Sequence, residues 1–198
     1  MDFQTHILFE ASQRHTLVSV DIQPAYDTHC RRILPQYIEF LNSYKGNIVC
    51  FYNGPQAGLD DTQQTVASYY YENGLAEEKL DQIIWKEKYY AFFRNWMDLG
   101  VDRDSMIKAI RFMVLNRIHD SREVPREQWQ LMFKQDSLAL NVALHDDEIH
   151  IPDVSIAELK TWQGCYLCGG AANECLSEFR LLFEAFNINY KLVKSLIY

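Results

Sequence analysis

Along most of the chain, short apolar runs alternate with stretches whose apolar residues recur at helical spacing. Residues 16–22, TLVSVDI, are dense in β-branched side chains and close on Asp21, which predicts a buried strand with a carboxylate at its C-terminal end. Ile33, Leu34, Tyr37, Ile38 and Leu41 then repeat as on one helix face, with Pro35 in the first turn or at a kink and Gly46 as the stop. NIVCFYN (47–53) predicts a second strand ending in the turn signal Asn53-Gly54-Pro55. A polar helical stretch at about 62–73 leads to a third strand in QIIWKEK (82–88).

The pattern changes between Phe93 and about Asp153. Ile107, Ile110, Val114 and Ile118 mark one amphipathic helix and REQWQLMFK (126–134) a second, while LALNVAL (138–144) alternates like a strand with EIHIPD (148–153) as its hairpin partner. After this come a short helix in SIAELKTW, a strand in GCYLC, a helix in NECLSEFRLLFEAF and a closing strand in YKLVKSLI. Strands alternating with helices predict an α/β fold: a three-layer sandwich with a mostly parallel sheet flanked by helices, in one domain spanning 1–198 with a helical insertion at about 94–152.

Composition narrows the function classes. At 198 residues, 48% hydrophobic and 23% charged, the chain has the make-up of a globular protein with one well-buried core. Its net charge of -8 and scattered basic residues argue against nucleic acid as a partner. No run reaches the roughly 20 apolar residues that a membrane span requires. The opening MDFQTHILFEASQ lacks the basic start and apolar run of a signal peptide, so a cytoplasmic protein with free thiols is expected from its five cysteines.

Three of those cysteines fall in CYLCGGAANEC (165–175). Cys165 and Cys168 have no second pair to complete the roughly four ligands of a zinc site. They sit inside an apolar run rather than at a helix start, and side chains three apart on a strand face opposite sides, so they read as buried core thiols. Cys175 falls in the first turn of a helix opened by Asn173, where partial positive charge lowers a thiol pKa and amide groups offer donors to an oxyanion. It is a candidate nucleophile, and a small buried hydrophobe is the other reading. Asp21, in apolar surroundings at a strand end, is a candidate base with raised pKa or else a turn former. Lys86, flanked by Ile84 and Trp85, needs a partner if it is buried, and Lys88 competes with it on the same strand face.

An Asp ending the first strand, a Lys on the third and a Cys after a glycine turn resemble, in that order, the isochorismatase-like cysteine hydrolase family. Asp21-Ile22-Gln23 with Tyr26-Asp27 is similar to its first-strand segment, KEKYYAF (86–92) to its K-x-x-Y-x-A-F segment with Lys86 in the catalytic place, and Gly169 to Leu176 to its cysteine segment. The resemblance implies an isochorismatase-like, Rossmann-type fold. It also implies that Asp21 deprotonates Cys175, that the thiolate attacks a carbonyl or amidine-like carbon, and that Lys86 supports the charges. It further implies a cis peptide at Gly170-Ala171, with the Ala171 and Cys175 amides as oxyanion hole, and Gln23, Tyr26 and Phe92 as candidate substrate contacts.

Where nicotinamidases of that family carry Asp and His metal ligands, this chain has Asn53-Gly54-Pro55-Gln56, so no metal and no cofactor are expected. Isochorismatases proper lack the nucleophilic cysteine, which disfavours vinyl-ether hydrolysis here. The expected activity is therefore hydrolysis of a C–N bond in a small amide or carbamoyl compound through a thioacyl intermediate. A catalytically silent binding or assembly protein of the same fold is the alternative, and a redox or zinc protein using Cys165 and Cys168 a third. Trp96, Trp129 and Tyr69 to Tyr71 read either as core or as apolar surface covered in a homo-oligomer.

Overall fold

The computed structural model describes residues 15–88, 94–145 and 149–198. Its centre is a five-stranded sheet in which every pairing is parallel: β1 (Leu17–Val20), β2 (Ile48–Asn53), β3 (Ile83–Lys88), β4 (Cys165–Gly169) and β5 (Tyr190–Ile197), in the order β3-β2-β1-β4-β5. A parallel sheet buries both faces under the helices that connect its strands. That is why β1, β2 and β4 are buried at every position.

Ten α-helical segments accompany the strands among the described residues: α1 (Asp27–Cys30), α2 (Leu34–Ser43), α3 (Gln63–Glu72), α4 (Glu77–Leu80), α5 (Arg94–Asp98), α6 (Arg103–Asn116), α7 (Arg126–Met132), α8 (Ser137–His145), α9 (Ile156–Thr161) and α10 (Cys175–Ala185). Pro35 stands in the first turn of α2, where its missing N–H costs nothing. Thr62 and Thr65 form a reciprocal capping box that starts α3. None of the helices in the described residues is long and apolar enough to cross a membrane.

The two sheet faces carry separate cores. One holds Val18, Val20, Val49, Phe51, Cys165 and Leu167 against α6 to α10, and the other holds Leu17, Ile48, Cys50, Tyr166 and Cys168 against α2 and α3. Cys165 and Cys168 thus lie on opposite faces, and burial pushes each thiol up to about 12. On the first face Phe51 meets Phe179 at 4.6 Å between ring centroids and Trp162 at 6.0 Å. On the second, the Tyr37 hydroxyl donates to Ser19 Oγ at 2.8 Å, and the Tyr70 hydroxyl donates to the Ile22 carbonyl at 2.8 Å, tying α3 to the turn just after Asp21.

The segment 138–144 is not a strand. It lies within helix α8, because Asp136 accepts from the Ala139 amide at 3.0 Å as a helix cap and Ala139 and Val142 are buried three apart on one helix face. Leu and Ala are strong helix formers, and that preference prevails over a short alternation. The expected hairpin reduces to an isolated antiparallel bridge between His150 and Asp120; residues 146–148 lie outside the described residues. Ile118 falls beyond the end of α6, which stops at a left-handed Arg117. Trp96, Trp129 and Tyr70 are core residues, with Tyr71 exposed.

Phe179 is fully buried and joins α10 to the sheet through Phe51 of β2. Phe179→Ala is expected to cost about 3–5 kcal/mol of unfolding free energy in urea titration, the usual penalty for emptying an aromatic core site. A loss below about 1 kcal/mol would mean that α10 is not anchored there.

Candidate active site

The C-terminal ends of β1, β4 and β5 meet at a cleft of about 430 Å³ lined by Asp21, Tyr26, His29, Ala171, Glu174, Cys175 and Tyr198. Ligands bind at this edge in open parallel sheets because the strands end there and the loops diverge. Asp21 follows directly on β1 and adopts φ 58°, a left-handed conformation that Asp tolerates better than most residues. Its side chain is buried, at 1% exposure.

The cation beside Asp21 is Lys88, not Lys86. Lys88 Nζ lies 2.9 Å from Asp21 Oδ2 and donates to Asn53 Oδ1 at 2.7 Å, with no exposed side-chain surface. Strand register explains the exchange. Lys86 pairs with Phe51, which pairs with Val20, so it stands level with the last residue of β1, and its ammonium turns out to the Asp153 carbonyl at 2.7 Å and Glu158 at 3.2 Å. Two residues later the strand has risen about 6.6 Å, past the end of β1, where Asp21 has turned out of the sheet. Lys88 pairs with Asn53 at that height.

Cys175 is the first residue of α10, 5% exposed, and its thiol shares the cleft with the Asp21 carboxyl, each group acting on the charge of the other. The residue preceding the helix is Glu174 rather than Asn173, and its side chain makes no cap. Gly169 precedes the turn with φ 103°, and a Cβ there would stand 1.9 Å from the Val20 carbonyl oxygen, so only glycine lets β4 pass so close to β1. The Gly170-Ala171 peptide is cis. Among the described residues no hydrogen bond engages the Ala171 or Cys175 amide, which leaves both as donors at the cleft.

Charge and burial set the resting protonation. Burial raises Asp21 above the ordinary carboxyl range, opposed by the Lys88 charge and by the neighbouring Cys175 thiol. Burial pulls Lys88 down, yet the attraction of Asp21, followed by that of Cys175, outweighs it and holds the ammonium charged. Burial and then the Asp21 charge raise the Cys175 thiol, against the pull of Lys88. The lowering expected from the helix start is thus outweighed, and the cysteine rests as a thiol. Neither carboxylate oxygen of Asp21 has a well-aligned hydrogen-bond donor among the described residues, so the carboxylate stays basic toward the proton that Cys175 carries. Glu178, one turn along α10 and 1% exposed, adds a negative charge felt by Lys88 and Cys175.

Of the other residues singled out in the sequence, Tyr26 lines the cleft. Gln23 does not: it is fully buried, its amide nitrogen donates to the Asn53 carbonyl at 2.9 Å and to Asp61 at 2.6 Å, and its oxygen accepts from the Asn53 amide at 2.8 Å. Its task is to lock Asn53 in place. Phe92, and with it most of KEKYYAF, lies outside the described residues. Two site residues carried no distinctive sequence signal. Asn53 reads as a turn former, and Tyr198 lies beyond the last apolar run, yet its hydroxyl donates to the Asp21 carbonyl at 2.6 Å and its ring lies over Gly170.

Replacing the two lysines separately tests this placement. Lys88→Met leaves Asp21 buried without its cation and is expected to cost about 3–5 kcal/mol. Lys86→Met removes a partly exposed contact and should cost about 1 kcal/mol or less in the same denaturation assay. Equal losses would contradict the assignment of Lys88.

No family model, curated protein or solved structure matches this chain.

Proposed function

We propose that the protein is a cysteine hydrolase of the isochorismatase-like kind, cleaving a C–N bond of a small amide or carbamoyl compound, with Asp21, Lys88 and Cys175 as its catalytic groups. The observation that carries this reading is a buried thiol and a buried carboxylate lining one cleft, with a buried ammonium 2.9 Å from the carboxylate. A carboxylate with raised pKa is a competent base, and a thiol held against it is an activated nucleophile.

In the first half-reaction the Cys175 proton passes to Asp21 as Sγ bonds to the substrate carbonyl carbon. The carbonyl oxygen takes the electron pair and is met by the Ala171 and Cys175 amides, donors preset for the developing charge. Collapse breaks the C–N bond, and the leaving nitrogen takes the proton from Asp21. Water then attacks the thioester and gives a proton to Asp21, and the departing sulfur recovers it, releasing the acid. Lys88 offsets the negative charge on Asp21 and on the thiolate at each stage. Every step uses side chains of this chain, its backbone and water.

The five buried free thiols support a reducing, cytoplasmic setting. Leu99, Leu115, Leu131 and Leu138, exposed by 45, 59, 72 and 44% on or beside α5 to α8, support self-association through the helical segment between β3 and β4.

Cys175→Ala is expected to fold normally by circular dichroism and to lose at least about a thousandfold in turnover of any amide the wild type hydrolyses, as removal of a covalent nucleophile does. Retained turnover would remove Cys175 from the mechanism. The pH profile gives a second check. Asp21 accepts a proton only when ionised, so kcat/KM should fall as pH drops through its raised pKa, giving an acid limb above the ordinary carboxyl range of about 4. Lys88→Met removes the charge that holds that pKa down, so the limb should move to higher pH; a shift to lower pH would contradict Lys88 as the partner of Asp21.

A further inference from the structure

Asn53 joins the catalytic cation to the wall of the cleft. Its Oδ1 accepts from Lys88 Nζ at 2.7 Å, and its Nδ2 donates to the Tyr26 hydroxyl oxygen at 2.8 Å. This orientation is chemically forced. An ammonium has only donors, so the carbonyl end of the Asn53 amide must face Lys88 and the NH2 end must face Tyr26. The Gln23 amide clamps the Asn53 backbone at both N–H and C=O, and Asp61 holds Gln23, so the side chain has no freedom to turn over.

The consequence falls on the Tyr26 proton. A phenol that accepts from Asn53 has its own hydrogen left to donate, and among the described residues no acceptor takes it. Tyr198, the other tyrosine of the cleft, differs here: its proton is committed to the Asp21 carbonyl at 2.6 Å. Tyr26 is half-buried and lines the same cleft as Cys175. In the open cleft water satisfies such a donor; a ligand that fills the cleft displaces the water and must bring its own acceptor or leave the phenol unpaired.

We propose that Tyr26, oriented by Asn53, is a specificity-determining hydrogen-bond donor that selects amides carrying a second acceptor, a carbonyl oxygen or equivalent lone pair, beyond the scissile carbonyl. The proposal rests on the amidohydrolase reading above and names the substrate class within it. The scissile carbonyl takes the Ala171 and Cys175 amides, and the second acceptor takes Tyr26. Simple alkyl amides leave the phenol unpaired on binding, so the site rejects them by the cost of one unmade hydrogen bond.

A matched pair of probes tests this: pyruvamide, with a keto oxygen next to the amide, and isobutyramide, in which a methyl group replaces that oxygen. Ligand-observed NMR titration of the wild type should show pyruvamide bound roughly five- to tenfold more tightly, the value of one neutral hydrogen bond. Tyr26→Phe keeps the ring and loses the hydroxyl, and should bring the preference to about one. Asn53→Asp leaves Tyr26 intact but offers it a carboxylate, which takes the phenol proton while still pairing with Lys88, so it too should abolish the preference. No preference in the wild type, or a preference that survives both substitutions, overturns the proposal. Ammonia release from either probe is followed in parallel: selective binding without release from any amide tested would sink the hydrolase reading and leave the recognition role of Tyr26 standing.

Discussion

The ion pair between Asp21 and Lys88 is the constraint around which the rest of the structure is arranged. Both side chains are removed from water, at 1 and 0% exposure, and a single buried charge of either sign would cost several kcal/mol. Each is tolerable only because the other is present and because Asn53 takes a second donor of the ammonium. Pairing them fixes the heights of two strands relative to each other. Asp21 must leave β1 just as β3 delivers Lys88, and the parallel register through β2 achieves this. Cys175 enters the same environment from the start of α10, so its thiol is held up by burial and by Asp21 and drawn down by Lys88.

The polar network behind the cleft repeats this logic at longer range. Gln23, Asn53 and Asp61 are all buried polar residues, and their hydrogen bonds satisfy one another while reaching Lys88 on one side and Tyr26 on the other. Fully satisfied buried networks are rigid, since any rotation strands a donor or acceptor in a medium that cannot replace it. The site therefore stands on side chains that point away from the reacting atoms. That is also why an apparent substrate contact, Gln23, is structural.

Strands and flanking helices were legible in the sequence because their periods and caps are local. The β-branched run before Asp21, Pro35 in a first turn and the glycines before Cys175 each follow from one residue's conformational needs. What was not legible depends on register. Lys86 and Lys88 share a strand face, and only pairing with β2 decides which reaches the sheet edge. Asn53 and Tyr198 acquire their roles from contacts 35 and 177 positions away in the chain. At 138–144, alternation mimicked a strand where helix propensity and the Asp136 cap prevail. The Cys175 pKa went the same way: the helix start was visible, whereas the burial that outweighs it was not.

The central claim, that Asp21 is the base that activates Cys175, is tested most directly by the rate at which iodoacetamide modifies Cys175 at neutral pH, followed by mass spectrometry in wild type and Asp21→Asn. The two ways in which Asp21 can act have opposite signs. As a proton acceptor it promotes the reaction, so Asp21→Asn should slow modification at least tenfold. If its charge only suppresses the thiolate, removing that charge would make Cys175 react faster, and that result would contradict the account.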